Sequence, residues 1–264
     1  MNFIAFETSS DCLSVAVAHG DVITSEDVAD TAQKNSELAL PLMHQLLKAA
    51  SLSLNDIDVV AYGRGPGSFT GIRIACGLAQ GLAFGLGKPV IGVASTLVLA
   101  AQAHAKMNNQ LDKIVVAIDA RMGEIYFAVY QPDESTDSGF AEIVAPILIK
   151  PDQLPGIVAK LNRDGRVVCI GSAFADVGLR AELLTGWGSI PVAIVEPGLP
   201  QATALLAIAQ RLMSRIGAGA THHPRDAAPI YLRNNVAMTI DERRQFHAAK
   251  QSAMQDAADA ENAA

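Results

Sequence analysis

The chain has 264 residues, half of them apolar, enough to bury the core of one large domain or two small ones. It carries 20 Lys and Arg against 27 Asp and Glu, a net charge of −7, and no long basic run, which argues against a protein that holds RNA by itself. Its cysteines, Cys12, Cys76 and Cys169, are far apart and odd in number, with no Cys-x-x-Cys or Cys-His cluster. They read as buried reduced thiols.

The first apolar run is ended by Glu7 and has no basic segment before it, so it does not read as a signal peptide. Residues 3–6 and 13–18 read instead as two strands joined by the polar turn Thr8-Ser9-Ser10-Asp11. Asn35 reads as the cap of a helix running to residue 50, with Glu37 in its first turn. Residues 59–62 form a short buried strand. The glycine-rich loop Gly63-Arg64-Gly65-Pro66-Gly67-Ser68-Phe69-Thr70-Gly71 leads into a helix from about residue 72 to 86. Lys88 and Pro89 interrupt the most apolar part of the chain, leaving pieces too short to span a bilayer. The expectation is a soluble, cytoplasmic protein without membrane contact.

A strand at 89–93 and a helix at 96–105 follow. Residues 114–118 pair with 124–130 in a hairpin, and 132–139 is a polar loop. Residues 167–170 form a strand ending in Gly171-Ser172, and 202–216 carries apolar residues at helical spacing. Beyond residue 237 the composition turns to Ala, Gln and acids, the signature of a solvated helix or a disordered tail.

One internal echo bears on the fold. Glu7-Thr8-Ser9-Ser10-Asp11, followed by residues 13–17, lines up without gaps on Asp119-Ala120-Arg121-Met122-Gly123, followed by 125–129. Each copy is strand, acid, polar turn, strand, so the chain is read as two related halves. This is an α/β plan resembling the actin, sugar kinase and Hsp70 superfamily, with two similar subdomains of mixed sheet and helices. The expected division is residues 1–105, residues 106–237 with their end packing back on the first half, and a polar tail at 238–264. In that superfamily each half's first hairpin faces a phosphate.

The glycine loop therefore has two readings. Backbone N–H groups at a helix start favour an anion, which makes Thr8, Ser9, Ser10, Gly65, Gly67 and Ser68 candidate nucleotide-binding residues. The loop is equally a tight structural turn, because Ile72 stands where a Walker motif has its lysine. The helix beyond it carries Gly77, Gly81 and Gly85 at four-residue spacing, at a cost in helix propensity. Either a partner subunit approaches closely there, with Arg73, Gly77, Gly81 and Gly85 as interface residues, or the helix packs on its own sheet. Asp119, Arg121 and Glu124 form either a catalytic cluster or a turn held by a local salt bridge. His44, His104 and His247 are isolated, and His222-His223 precede Pro224, so no metal pair is visible. No Gly-x-Ser-x-Gly elbow exists for a serine hydrolase.

Four stretches together resemble the TsaB family: Glu7-Thr8-Ser9; Tyr62-Gly63-Arg64-Gly65-Pro66-Gly67-Ser68-Phe69-Thr70-Gly71-Ile72-Arg73; Asp119-Ala120-Arg121-Met122-Gly123-Glu124-Ile125-Tyr126; and Pro229-Ile230-Tyr231-Leu232-Arg233-Asn234-Asn235. The resemblance covers roughly residues 1–237. TsaB is related to TsaD, which transfers threonylcarbamoyl to tRNA and holds a metal through a Gly-Val-Asn-His-x-x-x-His segment. The matching segment here is Gly92-Val93-Ala94-Ser95-Thr96-Leu97-Val98-Leu99, with Ser95 and Leu99 at the ligand places, and neither replaces an imidazole. The resemblance thus implies a non-catalytic subunit with no metal or tightly bound cofactor. It pairs with TsaD through N-terminal helices in a four-helix bundle, one of them matched here at 70–86. TsaE, a second copy as homodimer, and ATP or ADP in the complex are the further partners it implies. TsaC-made threonylcarbamoyl-adenylate is the complex's substrate, and tRNA is met only through the complex. The alternative is a small-molecule kinase of the same superfamily, with Glu7, Asp11 and Asp119 as its acids; only Gly171-Ser172 remains of an adenosine motif.

Overall fold

Two five-stranded sheets organise the chain. This computed structural model describes residues 1–31, 34–108, 111–158, 166–185, 192–196 and 198–233. Asn234 and Asn235 of the last motif, His247 and the tail at 238–264 lie outside the described residues. The strands are β1 (Asn2–Glu7), β2 (Leu13–His19), β3 (Val22–Val28), β4 (Val59–Gly63), β5 (Val90–Val93), β6 (Lys113–Arg121), β7 (Glu124–Pro132), β8 (Phe140–Ile149), β9 (Val167–Ile170) and β10 (Val192–Val195). The helices are α1 (Asn35–Ala49), α2 (Phe69–Leu86), α3 (Ser95–Lys106), α4 (Leu154–Val158), α5 (Val177–Thr185) and α6 (Ala202–Ile216).

The first sheet runs β3-β2-β1-β4-β5 and the second β10-β9-β6-β7-β8. Read outward from its first strand, each is the same object. Two antiparallel neighbours lie on one side of β1 or β6, and two parallel strands on the other. The fold is therefore the actin-like arrangement of two similar subdomains. The echo between the hairpins is not gap-free in space, however. The first pairing ends at Glu7↔Ser14, leaving a six-residue loop. The second closes at Arg121↔Glu124 after a register shift, around Met122 and Gly123, both at positive φ.

Alternation along the strands divides the core. Ile4, Phe6, Val15, Val17, Val60 and Tyr62 face α1 and α2, whereas Phe3, Ala5, Ala16, Val59 and Ala61 face α6 through Leu205, Leu206 and Ala209. In the second sheet Ile114, Val116, Ala128 and Val168 pack on Leu99, Ala100 and Ala103 of α3. Val115, Ala117, Phe127 and Cys169 pack on Leu154, Val158, Phe174 and Leu183. Helices are thus exchanged between sheets: α3 follows the first sheet in sequence but covers the second, and α6 follows the second but covers the first. Ser14 Oγ, fully buried, accepts the N–H of Ala202 at 2.7 Å and so satisfies an otherwise orphan donor at the start of α6. Residues 1–232 form one compact unit.

Two local expectations are corrected. Lys34, not Asn35, occupies the N-cap of α1, and Asn35 is buried in the first turn. Helix α2 starts three residues before residue 72, because Ser68 Oγ accepts the N–H of Gly71 at 3.3 Å and caps it there. Strands β3, β8 and β10 carry no sequence signal strong enough to read. All three are sheet edges with mixed exposure, and Pro146 lies where the β7–β8 register shifts.

Candidate functional site

The first hairpin and the glycine loop meet at the carboxyl ends of β1 and β4. Ser9 C=O accepts the N–H of Ser68 at 2.7 Å, and Thr8 Oγ1 donates to Gly71 C=O at 2.7 Å. A Cβ on Gly67 would lie 2.3 Å from Ser9 O, and one on Gly71 1.8 Å from Thr8 O. Those glycines are required because two backbones touch there. Thr8, Ser9, Gly67 and Ser68 are thus brought together, and Gly65 joins them through its C=O, which accepts Ser95 N–H at 2.8 Å. Ser10 points its Oγ at Cys12 N–H, 3.2 Å away. The N–H groups of Ser68 and Gly71 already have internal acceptors, so a phosphate bound to them would have to displace those partners.

Beneath this contact lies Glu7, fully buried. Its carboxylate accepts Ser9 N–H at 2.8 Å and Ser95 Oγ–H at 2.9 Å. Gly63 leaves room for it, since a Cβ there would be 1.9 Å from Glu7 Oε2. Burial raises the Glu7 pKa, outweighing the hydrogen bonds from Ser9, Ser95 and the Thr8 backbone. Burial first, then the charges of Asp27 and Glu7, push the neighbouring Cys12 thiol up to about 11. The sequence offered one sign of this role: an acid closing an apolar strand.

Helix α2 has two unlike faces. Ile72, Ala75, Cys76, Ala79 and Ala83 are buried against the first sheet. Gly77, Gly81 and Gly85 are exposed, and a Cβ on any of them would meet nothing within 4 Å among the described residues. The reading in which these glycines pack on the protein's own sheet is therefore overturned. They line an open outer stripe with Arg73, and Phe84 beside it is 72% exposed. On the same face of the sheet, α1 exposes Leu40. By length and composition α2 is the one described helix able to cross a membrane, yet its inner face belongs to the core.

Arg73 is held between two aromatic rings at one end of the stripe. Its Cζ lies 3.6 Å from the Phe69 ring centroid and 5.5 Å from that of Tyr231. Its Nε donates to Tyr231 Oη at 2.9 Å. Tyr231 arrives on a C-terminal strap fixed by Ala227 C=O accepting from Gln80, by Ala228 N–H donating to Tyr62 Oη, and by Ile230 N–H donating to Arg64 C=O. The contact with Tyr231 was not legible, because 158 residues separate it from Arg73, whereas Phe69 lies one helical turn away on α2.

At the second hairpin, Asp119 accepts the Arg121 backbone N–H at 2.7 Å and pairs with its guanidinium at 3.2 Å. The local salt-bridge reading is thus realised, and the same guanidinium lies 3.5 Å from Asp11 on the first hairpin. Gly171-Ser172 supports this strand end, with Ser172 Oγ accepting Asp119 N–H at 3.1 Å. Of the two places that hold histidines in the TsaD segment, Ser95 is bonded to Glu7 and Leu99 is fully buried under the second sheet. Among the described residues no three His, Cys, Asp or Glu side chains converge on one point.

Comparison with known proteins agrees with these motifs. The family model for TsaD, tRNA N6-adenosine threonylcarbamoyltransferase, matches residues 28–240. The tRNA threonylcarbamoyladenosine biosynthesis protein TsaB of Escherichia coli (strain K12) is 35% identical over 240 residues, covering 90% of this chain and 96% of its own. The TsaB of Haemophilus influenzae is 34% identical, over 89% and 95%. Among solved structures, YeaZ from Pseudomonas aeruginosa superposes with a TM-score of 0.75 at 29% identity, covering 88% of this chain and 99% of that one. On this combination of fold, motifs and similarity along nearly the whole length, the chain belongs to the TsaB family.

Proposed function

We propose that the chain serves tRNA threonylcarbamoyladenosine biosynthesis as a non-catalytic subunit that pairs with TsaD through α1 and α2. The observation that carries this reading is the outer face of α2. An 18-residue helix that leaves a glycine stripe, a clamped arginine and Phe84 facing outward is built for close approach by another helix. The non-catalytic part rests on Ser95 and Leu99, which are committed to a buried hydrogen bond and to the core. TsaE, a second copy using the same face, and tRNA met only through the complex complete the proposed set of partners, in the cytoplasm. ATP or ADP is proposed to bind only in the complex, because the chain's own phosphate-facing segments are packed on each other.

The test is reconstitution with tRNA and TsaC-made threonylcarbamoyl-adenylate. The isolated chain is expected to transfer nothing, and the mixture with TsaD to modify tRNA. Transfer by a TsaD-free sample, or no association with TsaD, would overturn the reading.

A further inference from the structure

Glu7 touches none of the outward residues of α2, yet the structure connects it to them in two steps. Its carboxylate fixes the Ser9 N–H and so orients the hairpin backbone. Ser9 C=O then receives Ser68 N–H, and Thr8 grips Gly71 through its hydroxyl and by direct backbone contact. Ser68 and Gly71 flank the start of α2, which carries Phe69 and Arg73. The other carboxylate oxygen is held by Ser95 at the start of α3, where the helix dipole also favours negative charge. A fully buried carboxylate is costly to keep, and an apolar residue could fill the same volume without that cost. The carboxylate's two acceptor oxygens hold two groups at once, which no apolar residue does.

We propose that Glu7 is a positioning residue for partner docking: it seats the first turn of α2 and so sets how Phe69 and Arg73 are presented to TsaD. The inference rests on the reading of α2 as the TsaD-facing helix. Removing the carboxylate leaves the Ser9 N–H and the Ser95 hydroxyl buried without their acceptor. The hairpin then loses the contact that orients it, and the first turn of α2 loses its seat. A glutamine keeps the Ser9 contact, since its amide oxygen accepts that N–H, and reverses the second, its NH2 donating to Ser95 Oγ.

The experiment compares Glu7→Ala, Glu7→Gln, Ser95→Ala and Gly81→Leu in the full chain. It measures the dissociation constant with purified TsaD of the same organism and amide hydrogen exchange at residues 69–73. Glu7→Ala is expected to weaken pairing about tenfold, the scale of one of the two buried donors it leaves unsatisfied, and to speed exchange at 69–73; Glu7→Gln restores both. A folded Glu7→Ala with wild-type pairing and exchange, beside a weakened Gly81→Leu, overturns the role of Glu7 and leaves the docking reading standing. Wild-type pairing by Gly81→Leu overturns the docking reading and this inference with it. If Glu7→Ala does not fold, Ser95→Ala decides: pairing weakened several-fold supports the proposal, and unchanged pairing overturns it.

Discussion

Glu7 also gives the residue scale a measurable pH signature. Its folded pKa lies above the ordinary carboxylate value of 4.5, chiefly through desolvation. The folded state therefore binds the proton more tightly than the unfolded chain does. Its contribution to stability is fully present below about 4.5 and is lost as pH rises through the folded value. Urea unfolding of wild type and Glu7→Gln should thus diverge above about pH 4.5, with wild type losing stability relative to the variant as pH rises; parallel profiles would contradict this. Gly67 makes the opposite kind of demand. A methyl there meets the Ser9 backbone at 2.3 Å, where nothing flexible can give way, so Gly67→Ala should destabilise by about 1–3 kcal/mol. Thermal unfolding at the wild-type midpoint would refute it.

For the elements, α2 separates stability from association. Its glycines cost helix propensity, about 1 kcal/mol each against alanine. At Gly81 nothing among the described residues repays that cost, because a Cβ there meets none of them within 4 Å. Gly81→Leu should therefore leave the fold unchanged or raise its midpoint slightly. The same change should weaken pairing with TsaD about ten- to hundredfold by overpacking the docking face. Calorimetric unfolding and a binding titration on one sample check both signs. A lowered midpoint, or unchanged binding, contradicts the assignment. The spacing of Gly77, Gly81 and Gly85 was visible in the sequence. Which way they faced was not, since the helix is apolar on both faces and periodicity alone does not tell core from interface.

Across the whole molecule, helix exchange ties the halves together. The first sheet needs Leu205, Leu206 and Ala209 of α6 to cover Phe3, Ala5 and Val59. The second needs Leu99, Ala100 and Ala103 of α3 to cover Ile114 and Val116. A cut at residue 105 leaves the first half with one bare sheet face and strips the second of α3. Residues 1–105 made alone are expected to be unfolded or aggregated by circular dichroism and size-exclusion chromatography. The intact chain should unfold in one calorimetric transition. A monomeric, cooperatively folding 1–105 fragment would contradict this.

What the sequence determined by itself was local or came as motif. Short, nearly continuous apolar runs in β1, β2, β6 and β7, bounded by polar turns, identified strands buried on both faces. The polar turn after Glu7, the glycine loop and the segment around Asp119 carried the family resemblance, and Ser95 and Leu99 were already visible at the metal-ligand places. The tertiary structure decided everything that depends on residues far apart in the chain. It paired Glu7 with Ser95 across 88 positions, stacked Arg73 against Tyr231, exchanged α3 and α6 between the sheets, and turned the glycines of α2 outward. The physical reason is common to all four. Burial and hydrogen-bond satisfaction are set by which surfaces meet, and a single strand or helix does not carry the identity of its neighbour.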